Sequence, residues 1–162
     1  MLTCTPPAEA LSNLLAEYGL TLHWVNPKQT IPGSYWGDSE AGLIANTLYL
    51  RTDTPLHSAL HEACHYICMT PERRAKLDTD AASDFAEEDA VCYLQLCLAE
   101  QLPGVGKQRL QNDMDTWGYS FRLGTTQAWY EHDADDAQAW LIQYQLIDTN
   151  NIPTRRVREI IH

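Results

Sequence analysis

The chain has few basic residues for its length. Its 162 residues include 11 Lys and Arg against 22 Asp and Glu, which gives a formal net charge of −11 at pH 7. The longest basic runs are the pairs Arg73-Arg74 and Arg155-Arg156. Because a surface of this charge repels phosphate groups, we expect no direct binding of nucleic acid.

Long hydrophobic runs are missing as well. No stretch approaches the roughly 18 consecutive apolar residues that a membrane-spanning helix requires. The N-terminal segment contains Pro6, Pro7, Glu9 and Glu17 where a secretory signal would need a basic start and an unbroken apolar run. We therefore expect a cytoplasmic protein that does not associate with membranes.

No Cys-x-x-Cys pair occurs among the 5 cysteines. An odd number of cysteines without an export signal indicates reduced thiols rather than a disulfide framework. Cys64 and Cys68 lie one helical turn apart, and Cys92 and Cys97 lie on a later predicted helix, but this spacing matches no thiolate zinc pattern. Buried, unreactive thiols are the favoured interpretation.

Internal repeats, low-complexity tracts and shifts of composition are absent too. A chain of 162 residues with 44% hydrophobic residues can bury one sizeable core. We therefore expect residues 1–162 to form a single domain.

What is present is the stretch His61-Glu62-Ala63-Cys64-His65, inside a predicted helix. Thr54 is a good N-cap residue, and Pro55 suits the first helical position because its missing N–H costs nothing there. Apolar residues then recur at the spacing of one helix face. These are Leu56, Leu60, Ala63 and Ile67.

On such a helix His61 and His65 lie on one face, about 6 Å apart along the axis, so that both imidazoles can bind one metal ion. Glu62 is turned by about 100° and can reach a water molecule held by that metal. This is the HExxH arrangement of zinc-dependent hydrolases. It predicts His61 and His65 as zinc ligands and Glu62 as the catalytic base.

A second long helix is predicted over residues 84–102, capped by Ser83 or Asp84. Its buried line contains Val91, Leu94 and Leu98 and, at its start, Glu87. A carboxylate on an apolar face is costly unless it is paired or bound to metal, which favours Glu87 as the third zinc ligand. A small rotation of the helix would substitute Glu88 or Asp89, and both remain open.

The rest of the pattern predicts few strands and many helices. Residues 21–25 and 43–50 are typical of strands, and Tyr35 and Trp36 lie in the loop between them. Further helices are predicted over residues 7–18, 107–117, 126–147 and 154–162. We expect an α+β fold with a small mixed sheet packed on the HExxH helix and a mostly helical C-terminal half.

HEACH followed by a carboxylate-bearing helix resembles the zincin metallopeptidases, in particular the gluzincin type, whose third ligand is a Glu on the following helix. The run from Glu87 to Ala90, followed by Tyr93, is similar to the E-x-E-A-x-x-F segment of the small ImmA/IrrE-like metallopeptidases. The resemblance covers residues 43–100. It departs from the gluzincin pattern at Val91, where many members place an Asp that orients the first His.

The resemblance implies a minimal zincin-like domain that hydrolyses peptide bonds in a peptide or protein substrate. Residues 43–50 would form the sheet edge along which the substrate pairs, with a buried central strand that has no such role as the alternative. Tyr130 and His132 are candidates for stabilising the oxyanion, although packing or exposure of these side chains is the simpler interpretation. His57 lies too far from His65 to share its ion, and is expected near the site or exposed to solvent.

Two other functions fit the same sequence. In the first, zinc only holds two helices together in a non-catalytic binding module, so that removing the metal would unfold the chain. In the second, the chain is a metal-free helical interaction protein and the motif is coincidental. The sequence leaves the substrate and the oligomeric state open.

Overall fold

The computed structural model describes residues 6–34, 39–78 and 84–159 and has an α+β architecture, as predicted. One small sheet is followed by a series of helices. In chain order the elements are α1 (Pro6–Ala16), β1 (Thr21–Trp24), β2 (Gly42–Ile44), β3 (Thr47–Leu50), α2 (Leu56–Cys68), α3 (Pro71–Ala75), α4 (Phe85–Ala99), α5 (Gly106–Thr116), α6 (Thr126–His132) and α7 (Asp135–Gln143).

The predicted strand over residues 43–50 is a β-hairpin. Strands β2 and β3 pair antiparallel, and Ala45 and Asn46 form the turn between them. Ala45 has a φ of 51°, a left-handed conformation that two-residue hairpin turns require. The continuous apolar pattern concealed this turn, for which Asn46 was the one local signal.

The sheet is mixed, with the strand order β1-β3-β2. Strand β3 lies in the middle, parallel to β1 and antiparallel to β2. On the outer side of β2, the backbone N–H of Leu43 donates to Gly33 O at 3.2 Å and that of Ala45 donates to Leu77 O at 2.9 Å. The prediction that residues 43–50 offer a free edge to a substrate is therefore wrong, because the chain itself occupies both sides of this hairpin.

Helix α2 confirms the HExxH helix, and its predicted apolar line is fully buried. Its start differs in detail from the prediction. Pro55 takes the N-cap position, and the Thr54 hydroxyl accepts a hydrogen bond from the backbone N–H of Arg51 at 2.9 Å instead of capping the helix. Thr54 therefore closes the turn between β3 and α2, and its own backbone N–H donates to Arg51 O at 3.0 Å.

Helix α4 is largely buried and packs against both α2 and α7. Its predicted cap is confirmed at Asp84, whose carboxylate accepts from Glu87 N at 2.9 Å, while Ser83 lies outside the described residues. The buried line of Val91, Leu94 and Leu98 is confirmed as well. Because α4 is enclosed from two sides, its rotation about its own axis is fixed by core packing.

Two predicted helices in the C-terminal part are wrong. The helix over residues 126–147 is broken into α6 and α7 at Asp133 and Ala134. In one straight helix Trp129 and Leu141 would point about 120° apart, and the break lets both be buried. Residues 154–159 are not helical, because the backbone N–H of Arg158 donates to Ile67 O at 2.8 Å and holds this segment against α2.

Among the described residues, no helix is both long enough and apolar enough to cross a membrane. Tyr35 and Trp36, which the sequence places in a loop, lie outside the described residues.

Candidate metal centre

The two histidines of the HExxH motif face each other across one turn of α2. His61 Nε2 and His65 Nε2 lie 3.1 Å apart, and their rings are nearly perpendicular. His65 is buried, whereas His61 is partly open to a cleft. The helical spacing read from the sequence therefore brings the two imidazole nitrogens to one point.

Helix α4 supplies a carboxylate at the same point, and it belongs to Glu88. Glu88 Oε1 lies 3.2 Å from His61 Nε2 and 3.4 Å from His65 Nε2. Within the described residues, His61, His65 and Glu88 form the one group of three side chains able to hold a metal ion. Ligands bound to zinc at ordinary lengths with tetrahedral angles lie ~3.3 Å apart, so the three atoms fit this geometry.

Gln95 on α4 sets the protonation of His61. Its Nε2 donates to the backbone carbonyl of His57 at 3.0 Å, so its Oε1 is the atom that lies 2.8 Å from His61 Nδ1. A carbonyl oxygen only accepts, and Nδ1 must therefore carry the proton. In the neutral imidazole, His61 Nε2 then presents its lone pair to His65 and Glu88.

Two of the three converging atoms, His61 Nε2 and Glu88 Oε1, are therefore acceptors, and a metal ion or a proton at this point can bind to both. Burial disfavours a charged His61, but the hydrogen bonds to Glu88 and Gln95 outweigh it and raise the pKa of His61. Burial also opposes the charge of Glu88, but the hydrogen bonds to His61 and His65 outweigh burial and hold the pKa of Glu88 well below its usual range. Glu88 is thus a carboxylate at neutral pH, as a metal ligand must be.

Glu87, the residue predicted as the third ligand, is turned away from the histidines. It is 3% exposed, and its Oε1 accepts from Arg73 Nη1 at 2.7 Å and from Arg158 Nη1 at 3.1 Å. The buried Glu87 carboxylate does have partners, but they are two guanidinium groups. Glu88, and not Glu87, therefore lies beside the two histidines. Asp89, the other alternative, is one step further round the helix and is not in the cluster.

A cleft of about 430 Å³ opens over the cluster. His61, Glu62 and Glu88 line it together with Trp117 and Tyr119 from the segment after α5. Burial raises the pKa of the Glu62 carboxyl; the nearby histidines oppose this shift, and the carboxylates of Glu88 and Glu40 add to it. A raised pKa suits a carboxylate that takes up and releases a proton.

His57 and Tyr119 form a pair in the wall of this cleft. His57 Nδ1 lies 3.1 Å from the Tyr119 hydroxyl, and the Tyr119 ring packs edge-on against His61. Burial, together with the nearby His61, lowers the pKa of His57 to about 4, so that His57 is neutral at pH 7. Burial raises the pKa of the Tyr119 phenol, which keeps its proton. His57 therefore lies near the site, which is one of the two positions expected from the sequence.

The two oxyanion candidates, Tyr130 and His132, are not among the described residues that line the cleft. Tyr130 stacks on Tyr93 with ring centroids 4.5 Å apart, and its hydroxyl accepts from Asn151 at 3.3 Å. The His132 side chain is 70% exposed beside Glu131. Packing and exposure, the simpler interpretations, describe these two residues.

The cysteines do not form a metal site within the described part of the chain. Cys64, Cys68, Cys92 and Cys97 are buried free thiols. Burial raises the pKa of each of them, to about 12 for Cys97. They agree with the interpretation as unreactive core thiols; Cys4 lies outside the described residues.

Sequence reasoning missed Gln95 and Tyr119, and gave Glu88 only as an alternative. A signal existed for two of them, because Glu88 and Gln95 are polar residues that lie two turns apart on one face of the helix. Gln95 accepts from Nδ1 of His61 and donates to the backbone carbonyl of His57, so it orients the His61 ring. Tyr119 follows a glycine in a short connection and had no sequence signal.

Comparison with known proteins adds no relative to this picture. No protein-family model matches the chain, and neither a curated protein nor a solved structure matches it.

Proposed function

We propose that the chain is a zinc-dependent peptidase of zincin-like type, which hydrolyses peptide bonds in a peptide or protein substrate. The observation that carries the proposal is the triangle of His61 Nε2, His65 Nε2 and Glu88 Oε1, open to a cleft that Glu62 also lines. Three protein ligands with an open position are typical of catalytic zinc sites.

Each residue has a defined part in this mechanism. His61, His65 and Glu88 would hold a zinc ion, which would supply Lewis acidity to lower the pKa of a bound water and to polarise a carbonyl oxygen. Glu62 accepts the proton of the attacking water and returns it to the leaving amine. Gln95 keeps the proton of His61 on Nδ1, so that Nε2 remains a ligand.

The packing of the helices favours a catalytic role over a purely structural one. Helices α2 and α4 pack together in the core, and the buried side chains of these two helices are mainly apolar. Because the buried apolar side chains of α2 and α4 are enough to stabilise this interface by packing, zinc is not needed as the link that holds the two helices together. A site in an open cleft is also accessible to a substrate.

The test is the Glu62→Gln variant, measured beside wild type and Glu72→Gln as a matched control on the exposed helix α3. All three proteins are loaded with one equivalent of zinc and assayed on dye-quenched casein. We expect Glu62→Gln to keep zinc and to lose activity by a factor of about 100 to 10,000. Equal activity of Glu62→Gln and Glu72→Gln would refute the mechanism.

A further inference from the structure

The metal cleft continues into a second cavity. The second cavity, of about 360 Å³, shares four lining residues with the cleft, namely Phe85, Asp89, Ser120 and Phe121. Helices α6 and α7 form its far wall. The two cavities together make one groove that leads away from His61, His65 and Glu88, and we call it the extended groove.

Aromatic side chains stand exposed along the extended groove. Phe85 is 91% exposed and Trp117 is 52% exposed, although each has a large apolar ring. Further along, the rings of Phe121 and Trp129 stack with centroids 4.6 Å apart. Exposed apolar side chains beside a polar cavity are typical of a surface that binds a partner or ligand.

The charged residues along the extended groove are mainly acidic. Glu40, Glu62 and Asp89 line it near the metal centre, and Asp133 and Asp136 line its far part. Of the described lining residues, Arg122 alone is basic, and its guanidinium donates to Asp133. In the described part of the chain, neither Asp89 nor Asp136 is paired with a cationic side chain.

We propose that the extended groove binds substrates with an arginine or lysine next to an aromatic or large aliphatic residue, close to the bond that is cut. This inference rests on the proposed peptidase function and specifies its substrate class. The chemistry is that of guanidinium recognition, in which aromatic faces and carboxylates act together. Arg122 already shows a guanidinium bound to one carboxylate of this cavity.

The test compares two labelled decapeptides that differ at one position, with a central Phe-Arg or a central Phe-Gln. Binding is measured by fluorescence anisotropy to zinc-loaded Glu62→Gln protein, which retains the groove without cutting. We expect about fivefold tighter binding of the arginine peptide at low salt. The preference should shrink at 0.5 M salt, because exposed charges are screened. Equal affinity for both peptides at low salt would overturn the inference.

The matched variants are Asp136→Asn and Asp135→Asn, made in the same Glu62→Gln background. Both lie in the first turn of α7, but only Asp136 lines the extended groove. We expect Asp136→Asn to reduce the arginine preference at least about twofold and Asp135→Asn to leave it unchanged. An equal loss in both variants would assign the preference to general surface charge and overturn the inference.

Hydrolysis by wild type separates this inference from the function on which it rests. If the protein prefers the arginine peptide but wild type cuts neither peptide, the groove assignment stands and the peptidase function is refuted. If wild type cuts both peptides and the protein binds them equally, the peptidase function stands and the proposed substrate class is overturned.

Discussion

Glu87 and Glu88 are neighbours on α4, yet they belong to two different clusters. Glu87 is bound by the guanidinium groups of Arg73 and Arg158, whereas Glu88 meets the imidazoles of His61 and His65. A guanidinium always carries its charge, while an imidazole can present a lone pair to a metal ion. The identity of the partner, and not burial, therefore separates a structural carboxylate from a candidate ligand.

The first prediction concerns zinc binding by the two neighbouring glutamates. Glu88→Ala removes one of three ligand atoms, and we expect the zinc affinity to fall about a thousandfold. Glu87→Ala should bind zinc nearly as tightly as wild type. Competition with a chromophoric chelator measures both. If Glu87→Ala showed the larger loss, the assignment of the third ligand to Glu88 would be wrong.

The second prediction uses pH, which changes the charge of imidazole groups near the metal centre but leaves the guanidinium groups charged. The pKa of His57 is lowered to about 4 from an ordinary 6.5. Between these values the unfolded chain binds a proton that the folded chain does not, so stability is present above pH 6.5 and is lost as the pH falls towards 4.

For zinc-free protein we expect this loss to reach up to about 3 kcal/mol. Urea unfolding between pH 4 and pH 7 measures it, with His57→Gln as the comparison. The variant should show a clearly flatter dependence on pH. The same slope in both proteins would contradict a neutral, buried His57.

The third prediction concerns stability at the guanidinium cluster. Glu87→Ala leaves Arg73 and Arg158 beside a buried gap, and we expect the free energy of unfolding to fall by about 2 kcal/mol. The figure is moderate because both arginines keep some contact with solvent. Chemical denaturation at pH 7 measures it. Glu72→Ala, on an exposed face, should change stability by less than about 0.5 kcal/mol.

The fourth and smallest effect tests the residue that orients His61. Gln95→Leu removes the acceptor for His61 Nδ1, and we expect the zinc affinity to fall about tenfold. The matched control is Gln111→Leu, a buried glutamine on α5 that is not in the cluster. An equal effect of the two variants would indicate that the loss comes from packing rather than from the hydrogen bond.

Local sequence patterns predicted the elements that depend on neighbouring residues. The helical spacing of His61 and His65, the cap at Asp84 and the buried line of α4 could all be read from the order of residues. The hairpin turn at Ala45 could not, because the continuous apolar pattern concealed it. The break at Asp133 could not, because it depends on how Trp129 and Leu141 pack in the core. The segment at Arg158 likewise follows α2 instead of its own helical pattern.

The order of residues alone places His61 and His65 on one helix face and shows that an acidic residue near the start of α4 needs a partner. Which glutamate meets the histidines depends on the packing of the folded chain. Adjacent residues on a helix point about 100° apart, so the rotation of α4 makes the choice. That rotation is set by the packing of α4 between α2 and α7, which no local pattern encodes.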